Sequence, residues 1–314
     1  GDTVSIMAPN IPELFEAHYS VPMTGAVLNA INTRLDAKTV GYILKHADAK
    51  ALIVDRQFHG VVKKALESFG KKILIVDIVD KQANLKDSKF RKVDFTGANL
   101  RRTNLQGASF MGAILDNVNF SESVLEETNM SEISIQNSAF NGAKITNVNF
   151  YGSNLTGADL RYTWLSETDL RNSNLSNADM DNAQFSGIDL SGATLRNAYA
   201  SNANFSGAIF DGANLSQVDF SDTNLSKADL RESYMYKAVF IRSNLTDATL
   251  ANAQMREVNL QGAILLGANL RSANLSGANF TDADLSTADL SSANMEGTIF
   301  CNTLTPWGED NSGC

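Results

Sequence analysis

Three histidines, two cysteines and a regular series of carboxylates are the residues that could carry chemistry in this chain. His18, His46 and His59 fall before residue 60, and His18 and His46 sit in segments of helical pattern where a structural role is expected. No Ser-His-Asp order, HExxH pair or phosphate-binding glycine loop accompanies them. Asp159, Asp169, Asp179 and Asp189 recur beside large apolar residues, which places them on an outward, solvated surface. Acid–base work needs a carboxylate pair in a cleft. Cys301 and Cys314 are the only cysteines, and two thiols without a nearby histidine are too few for zinc. The residues therefore read as a non-enzyme, with no catalytic residue, no metal and no cofactor.

The carboxylates belong to a stricter pattern. From Leu85 to Phe300 every fifth residue is large and apolar, in 44 consecutive positions without a slip of register. Ala200 is the one small member. Two residues before each stands a small side chain, with Ile133 and Ile188 the bulky exceptions. A period of five fits neither helix nor strand. The chain must turn a corner about every five residues to keep these side chains inward, and four corners close a square coil of about 20 residues. Stacked coils pair their backbones at about 4.8 Å per coil, so about 11 coils make a rod on the order of 50 Å long. Ala200 reads as a packing irregularity filled by its neighbours. Gly97, Gly107, Gly112, Asn117, Gly142 and Asn147, two residues after the large position, suit corners with positive φ. Glu122, Glu127 and Arg242 occupy the same position, so not every corner can demand that conformation.

GANLR at 97–101, GADLR at 157–161, GANLS at 212–216 and DADLS at 282–286 resemble the A(D/N)LXX consensus of the pentapeptide-repeat family, over about 70% of the chain. The resemblance implies a mainly β fold, a right-handed quadrilateral β-helix over 83–302. The repeat also generates the sequon-like triplets at Asn154, Asn174, Asn214 and Asn274, which carry no evidence of glycosylation.

Residues 1–80 lack this register and alternate strand and helix patterns. Strands are expected over 4–8, 27–32, 51–54 and 73–79, and helices over 10–26, 36–46 and 58–69, making a small partial α/β segment with a parallel sheet. The run GDTVSIMAPNIPELFEAHYSVPMTGAVLNAINTRLDAKTVGYILKHADAKALIVD resembles the N-terminal region of plant acyl-activating, AMP-binding enzymes, and the resemblance extends to about residue 80. That family uses a Ser/Thr/Gly-rich loop ending in Pro-Lys, an aromatic-acidic segment and a C-terminal lysine. The repeats begin before any of these, so the resemblance implies scaffold without catalytic residues. The chain starts on Gly1 rather than Met, and an upstream piece is expected.

The tail TIFCNTLTPWGEDNSGC resembles the closing segment of plant and cyanobacterial pentapeptide proteins. Residues 303–314 read as a cap, with Trp307 over Phe300 and Leu285 and a Cys301–Cys314 disulfide; the other reading is two free thiols in a reducing compartment. No run of 18 apolar residues is present.

Charge is uneven. Residues 81–102 carry seven basic and two acidic side chains, and residues 103–314 carry 10 basic and 24 acidic ones. The basic collar, including Lys89, Arg91, Lys92, Arg101 and Arg102, and the outward aromatic pair Tyr162 and Trp164 are the candidate partner contacts. The reading is a structural or protein-interaction module with a protein partner and no nucleic acid. Two alternatives remain: a DNA-mimicking inhibitor of a type II topoisomerase, as in some pentapeptide proteins, and a chimera carrying an enzyme remnant. The repeat resemblance implies a chloroplast, thylakoid-lumen setting; the N-terminal one implies cytosol or peroxisome.

Overall fold

The computed structural model describes residues 3–7, 27–30, 38, 40, 49–55, 62–66, 74–78 and 84–314. Strands β1 (Thr3–Met7), β2 (Val27–Ala30), β3 (Ala49–Asp55) and β4 (Leu74–Ile78) form one sheet in the order β2-β1-β3-β4. Every pairing is parallel, with Val4 opposite Leu28 and Ala51, and Ile53 opposite Val76. Each expected strand is present within one to two residues of its sequence-derived bounds. Residues 62–66 are helical inside the helix expected over 58–69, as are residues 38 and 40 inside that expected over 36–46. The helix expected over 10–26 and the three histidines lie outside the described residues.

From Asn84 onward the backbone pairs with itself twenty residues later, in parallel, along four ladders that start at Asn84, Lys89, Asp94 and Asn99. This is a four-sided β-helix. Two pairings widen into short strands, β5 (Lys144–Thr146) and β6 (Trp164–Ser166). The inward column is a continuous apolar core from Leu85 to Phe300, with the small series packed between its members.

One repeat shows how the fold satisfies its five N–H groups. Leu105 N–H donates to Val124 C=O at 2.8 Å and Gly107 N–H to Glu126 C=O at 2.8 Å, both on the next coil. Ser109 N–H donates back to Ser88 C=O at 2.8 Å, and Ala108 N–H closes the turn on Leu105 C=O at 2.9 Å. The fifth group, Gln106 N–H, is accepted by the side chain of Asn104 at 3.1 Å. Buried backbone donors must find acceptors, and an Asn or Asp side chain reaches the N–H two residues on. This is why Asn and Asp precede the large residue so often. The same bond holds the Asn154 and Asn174 sequons, whose Oδ1 accepts from Thr156 and Ser176. At Tyr199, which has no such acceptor, Asp181 of the preceding coil takes the Ser201 N–H at 2.8 Å.

The charged corners take positive φ as well. Glu122 has φ 58°, Glu127 φ 56° and Arg242 φ 55°, and every equivalent corner from Asp87 to Asn302 is left-handed except Thr287. The corner N–H must point at the next coil, and this forces the backbone whatever the side chain. Thr287 is β-branched, the residue class that tolerates positive φ least. There the next-coil backbone bond is replaced by Thr287 Oγ1, which accepts from Gly267 N–H at 2.8 Å.

Ala200 is fully buried, and the room beside it is taken by phenylalanines. Phe205 packs 5.5 Å from both Phe210 and Phe220, and 4.9 Å from Phe185. At the far end the register continues past 302: Thr303 and Thr305 point inward and are buried in strand β7 (Thr303–Thr305). β7 turns back antiparallel on β8 (Gly308–Asp310). Cys301 and Cys314 are joined. Trp307 stands edge-on to Phe300, centroids 6.2 Å apart, and stays 55% exposed. The expected cover of Leu285 by Trp307 is not what is seen: Leu285 N–H donates to Leu304 C=O at 2.6 Å, and the buried residue in its column on the next turn is Thr305. The hairpin covers one side of the last coil. Among the described residues no further coil accepts the N–H groups of Leu290, Ser292, Met295 and Gly297.

Candidate interaction surface

With the interior of the solenoid filled, its outer faces are where it can meet other molecules. Three positions per repeat point outward, and their neighbours lie directly above and below at about 4.8 Å. Tyr162 and Trp164 flank the buried Thr163 at one corner and are 70% and 74% exposed. Tyr162 is the corner residue at φ 56°, and Trp164 lies in β6 between Lys144 and Gln184 of the adjacent coils. Lys144 is paired with Glu126, and Arg161, next to Tyr162, with Asp159 at 2.8 Å and Asp179 at 3.3 Å. The aromatic corner is therefore rimmed by neutralised charge, with both rings free for a partner.

The basic collar divides. Arg101 and Arg102 converge on Glu122, Arg102 Nε at 2.6 Å. Their hydrogen bonds, that of Arg102 first, hold the Glu122 carboxyl down at about 2. Lys89, Arg91 and Lys92 are exposed and have no carboxylate partner among the described residues. The cationic surface at this end is thus concentrated on these three with Lys86, on two adjoining faces.

The regular aspartates act on the backbone and on arginine. Asp169 accepts from Arg171 N–H at 3.1 Å and from both Arg171 side-chain nitrogens, and Asp229 does the same with Arg231. These arginine hydrogen bonds lower the carboxyls of Asp169 and Asp229 below the usual range. Burial raises Asp181, with Asp179 and Asp219 adding to the shift. The sequence foresaw an outward carboxylate series but not its Asp-x-Arg pairing, although DLR at 159–161, 169–171 and 229–231 was there to read. Among the described residues no helix is long and apolar enough to cross a membrane.

Family models agree with this geometry. A pentapeptide-repeat-region model matches residues 83–160, and the pentapeptide-repeats model matches 153–192, 188–226, 223–262 and 263–302. An AMP-binding-enzyme model matches residues 1–109. Its last part overlaps the repeats, and there the backbone is already coiled, with Asn84 bridged to Asn104. Among curated proteins, the peroxisomal butyrate–CoA ligase AAE11 of Arabidopsis thaliana is 60% identical over 65 residues, 21% of this chain and 11% of that enzyme. The acetate–CoA ligase CCL3 of Humulus lupulus is 48% identical over 67 residues, 21% of this chain and 12% of the enzyme. The chain thus spans about a tenth of the length of these ligases. Among solved structures, HetL, a pentapeptide repeat protein involved in heterocyst differentiation regulation in Nostoc, is 24% identical. The likeness covers 79% of this chain and 97% of HetL, with a TM-score of 0.47. A pentapeptide repeat protein of the Arabidopsis thaliana thylakoid lumen is 30% identical over 36% of this chain and 68% of its own, with a TM-score of 0.16. With repeat models covering residues 83–302 and a backbone that bridges to itself every twenty residues, the chain belongs to the pentapeptide-repeat family.

Proposed function

We propose that this chain is a non-catalytic scaffold, a rigid solenoid over 83–302 whose outer faces hold a protein partner. In this reading residues 1–80 are a truncated enzyme-like segment and 303–314 a cap. One observation carries it: the core is filled and the backbone self-paired, while Tyr162 and Trp164 stand exposed on a rigid corner. Large rigid aromatics ringed by neutralised charge are the side chains that dominate protein interfaces. The Cys301–Cys314 bond supports an oxidising compartment, as a lumen would be.

The Asp-x-Arg pairs weigh against a DNA mimic, because each removes negative charge from the surface that would imitate phosphates. They leave the acidic body with far less than the one charge per about 1.7 Å of duplex DNA.

Crosslinking mass spectrometry on the intact chain, with a photoreactive group at Tyr162, tests the scaffold. A single reproducible protein partner is expected, with its crosslinks reduced at least about fivefold by Trp164→Ala, the loss of an aromatic anchor. Crosslinks unaffected by Trp164→Ala refute the role of this corner. In parallel, the intact chain given ATP, coenzyme A and butyrate is expected to make no thioester. Measurable turnover defeats the non-catalytic reading.

A further inference from the structure

After Arg91, nearly every arginine of the described rod is answered by a carboxylate. Arg101 and Arg102 share Glu122, Arg161 takes Asp159, Arg171 takes Asp169, Arg231 takes Asp229, Arg242 takes Asp222 and Arg271 takes Asp289. Among the described residues after Arg91, Arg196 and Arg256 are the arginines with no such partner. Arg161, Arg171 and Arg231 pair with an Asp two residues before them, and Arg101, Arg102, Arg242 and Arg271 with a carboxylate about one coil away; Arg196 and Arg256 have neither, with Thr194 and Gln254 in the Asp position.

The two arginines also share a column. Bridges tie Thr194 to Asn214, Asn214 to Tyr234 and Tyr234 to Gln254, so Arg196, Ser216, Tyr236 and Arg256 follow one another up a single face. No carboxylate interrupts them. Tyr234 and Tyr236 are both exposed on the intervening coil. Lys237 lies over the Tyr236 ring at 5.2 Å and takes Glu257, the corner residue next to Arg256, at 3.5 Å.

We propose that this strip is the docking site for an extended acidic segment of a partner protein, a reading that rests on the scaffold function above and names its partner's chemistry. Arginine forks recognise carboxylates in two-point fashion, and tyrosine adds rigid contact area. Arg196 and Arg256 are three coils apart, roughly 14 Å along the rod. An extended peptide advances about 3.3 Å per residue, so carboxylates four residues apart meet both guanidinium groups at once. Charge favours a peptide over nucleic acid. Residues 103–314 hold 24 acidic and 10 basic side chains, so a continuous phosphate chain running past the strip would meet like charge on the flanking faces.

The test is fluorescence anisotropy of the full chain with a labelled Gly/Ser peptide bearing two glutamates four residues apart. Binding that weakens with salt is expected, with a loss of about tenfold or more in Arg196→Ala/Arg256→Ala, as for removal of charge-assisted bonds. The double variant Arg161→Ala/Arg171→Ala changes net charge equally and is expected to bind like the parent, because its arginines already have partners. Absence of parent binding, equal loss in both double variants, or tighter binding of an oligo-dT strand each overturns the proposal. If the crosslinks at Tyr162 persist in Arg196→Ala/Arg256→Ala, the scaffold stands and only this strip is lost.

Discussion

Ser123 and Ser138 occupy the same small inward position on two faces of the rod, yet their hydroxyls fare differently. Ser138 Oγ donates to Leu115 C=O at 2.7 Å and accepts from Val118 N–H at 2.9 Å. Ser123 Oγ is buried with no partner. An unsatisfied buried hydroxyl costs its desolvation, whereas a bonded one contributes. Ser123→Ala is therefore expected to raise stability by about 1 kcal/mol and Ser138→Ala to lower it by about 1–2 kcal/mol. Chemical denaturation reads both, and equal shifts would contradict the distinction. The alternation of small and large residues was fully legible in the sequence, because packing volume is a property of residue type. Which hydroxyl finds a carbonyl was not, because that depends on the placement of a residue about one coil away.

The corner is the element in which sequence and structure part. Charged residues at Glu122, Glu127 and Arg242 gave no reason to require a left-handed turn there, and the backbone takes it all the same. A signal was present: across these positions Thr287 is the one β-branched residue, and it is where the turn departs from its neighbours. Absence of Val, Ile and Thr mattered more than presence of Gly, because a straight side chain at positive φ costs little once two coils are tied together. Asn177, at φ 57°, is a mid-rod corner whose N–H donates to Arg196 C=O at 2.9 Å. Asn177→Val is expected to cost about 1–2 kcal/mol, the penalty of a left-handed β-branched residue. Asn177→Gly is expected to change stability by a few tenths of a kcal/mol at most. Thermal melts compare the two, and parity between them removes the argument. The Asp-x-Arg pairs are the complement of this lesson. They were readable as a two-residue spacing, and Thr194 and Gln254 stand in the Asp position before Arg196 and Arg256, the arginines of the strip.

At the scale of the whole molecule the five-residue period dictated a square solenoid, while the hydrophobic pattern of the first 80 residues dictated a parallel sheet. Both are present, although the matched ligases are covered over only about a tenth of their length. The exact end was less legible, since Thr303 and Thr305 continue the inward series with polar residues that the apolar pattern passes over. Their hairpin holds only one side of the final coil, and the bond from Cys301 to Cys314 closes a 13-residue separation worth about 3 kcal/mol in the chain-entropy model. A growing sheet needs nothing more than free donors in register and an apolar floor. Leu290, Ser292, Met295 and Gly297 offer the donors, and half-buried Leu290 and Met295 the floor. The tail is then a chain terminator in the polymer sense: it limits how much template the rod presents to another copy. Reduction with dithiothreitol, or Cys314→Ser, is expected to promote pairing of two copies through their C-terminal ends, read as a doubling of mass by light scattering. Persistence of single rods after full reduction would mean that the hairpin blocks this pairing without its covalent clasp.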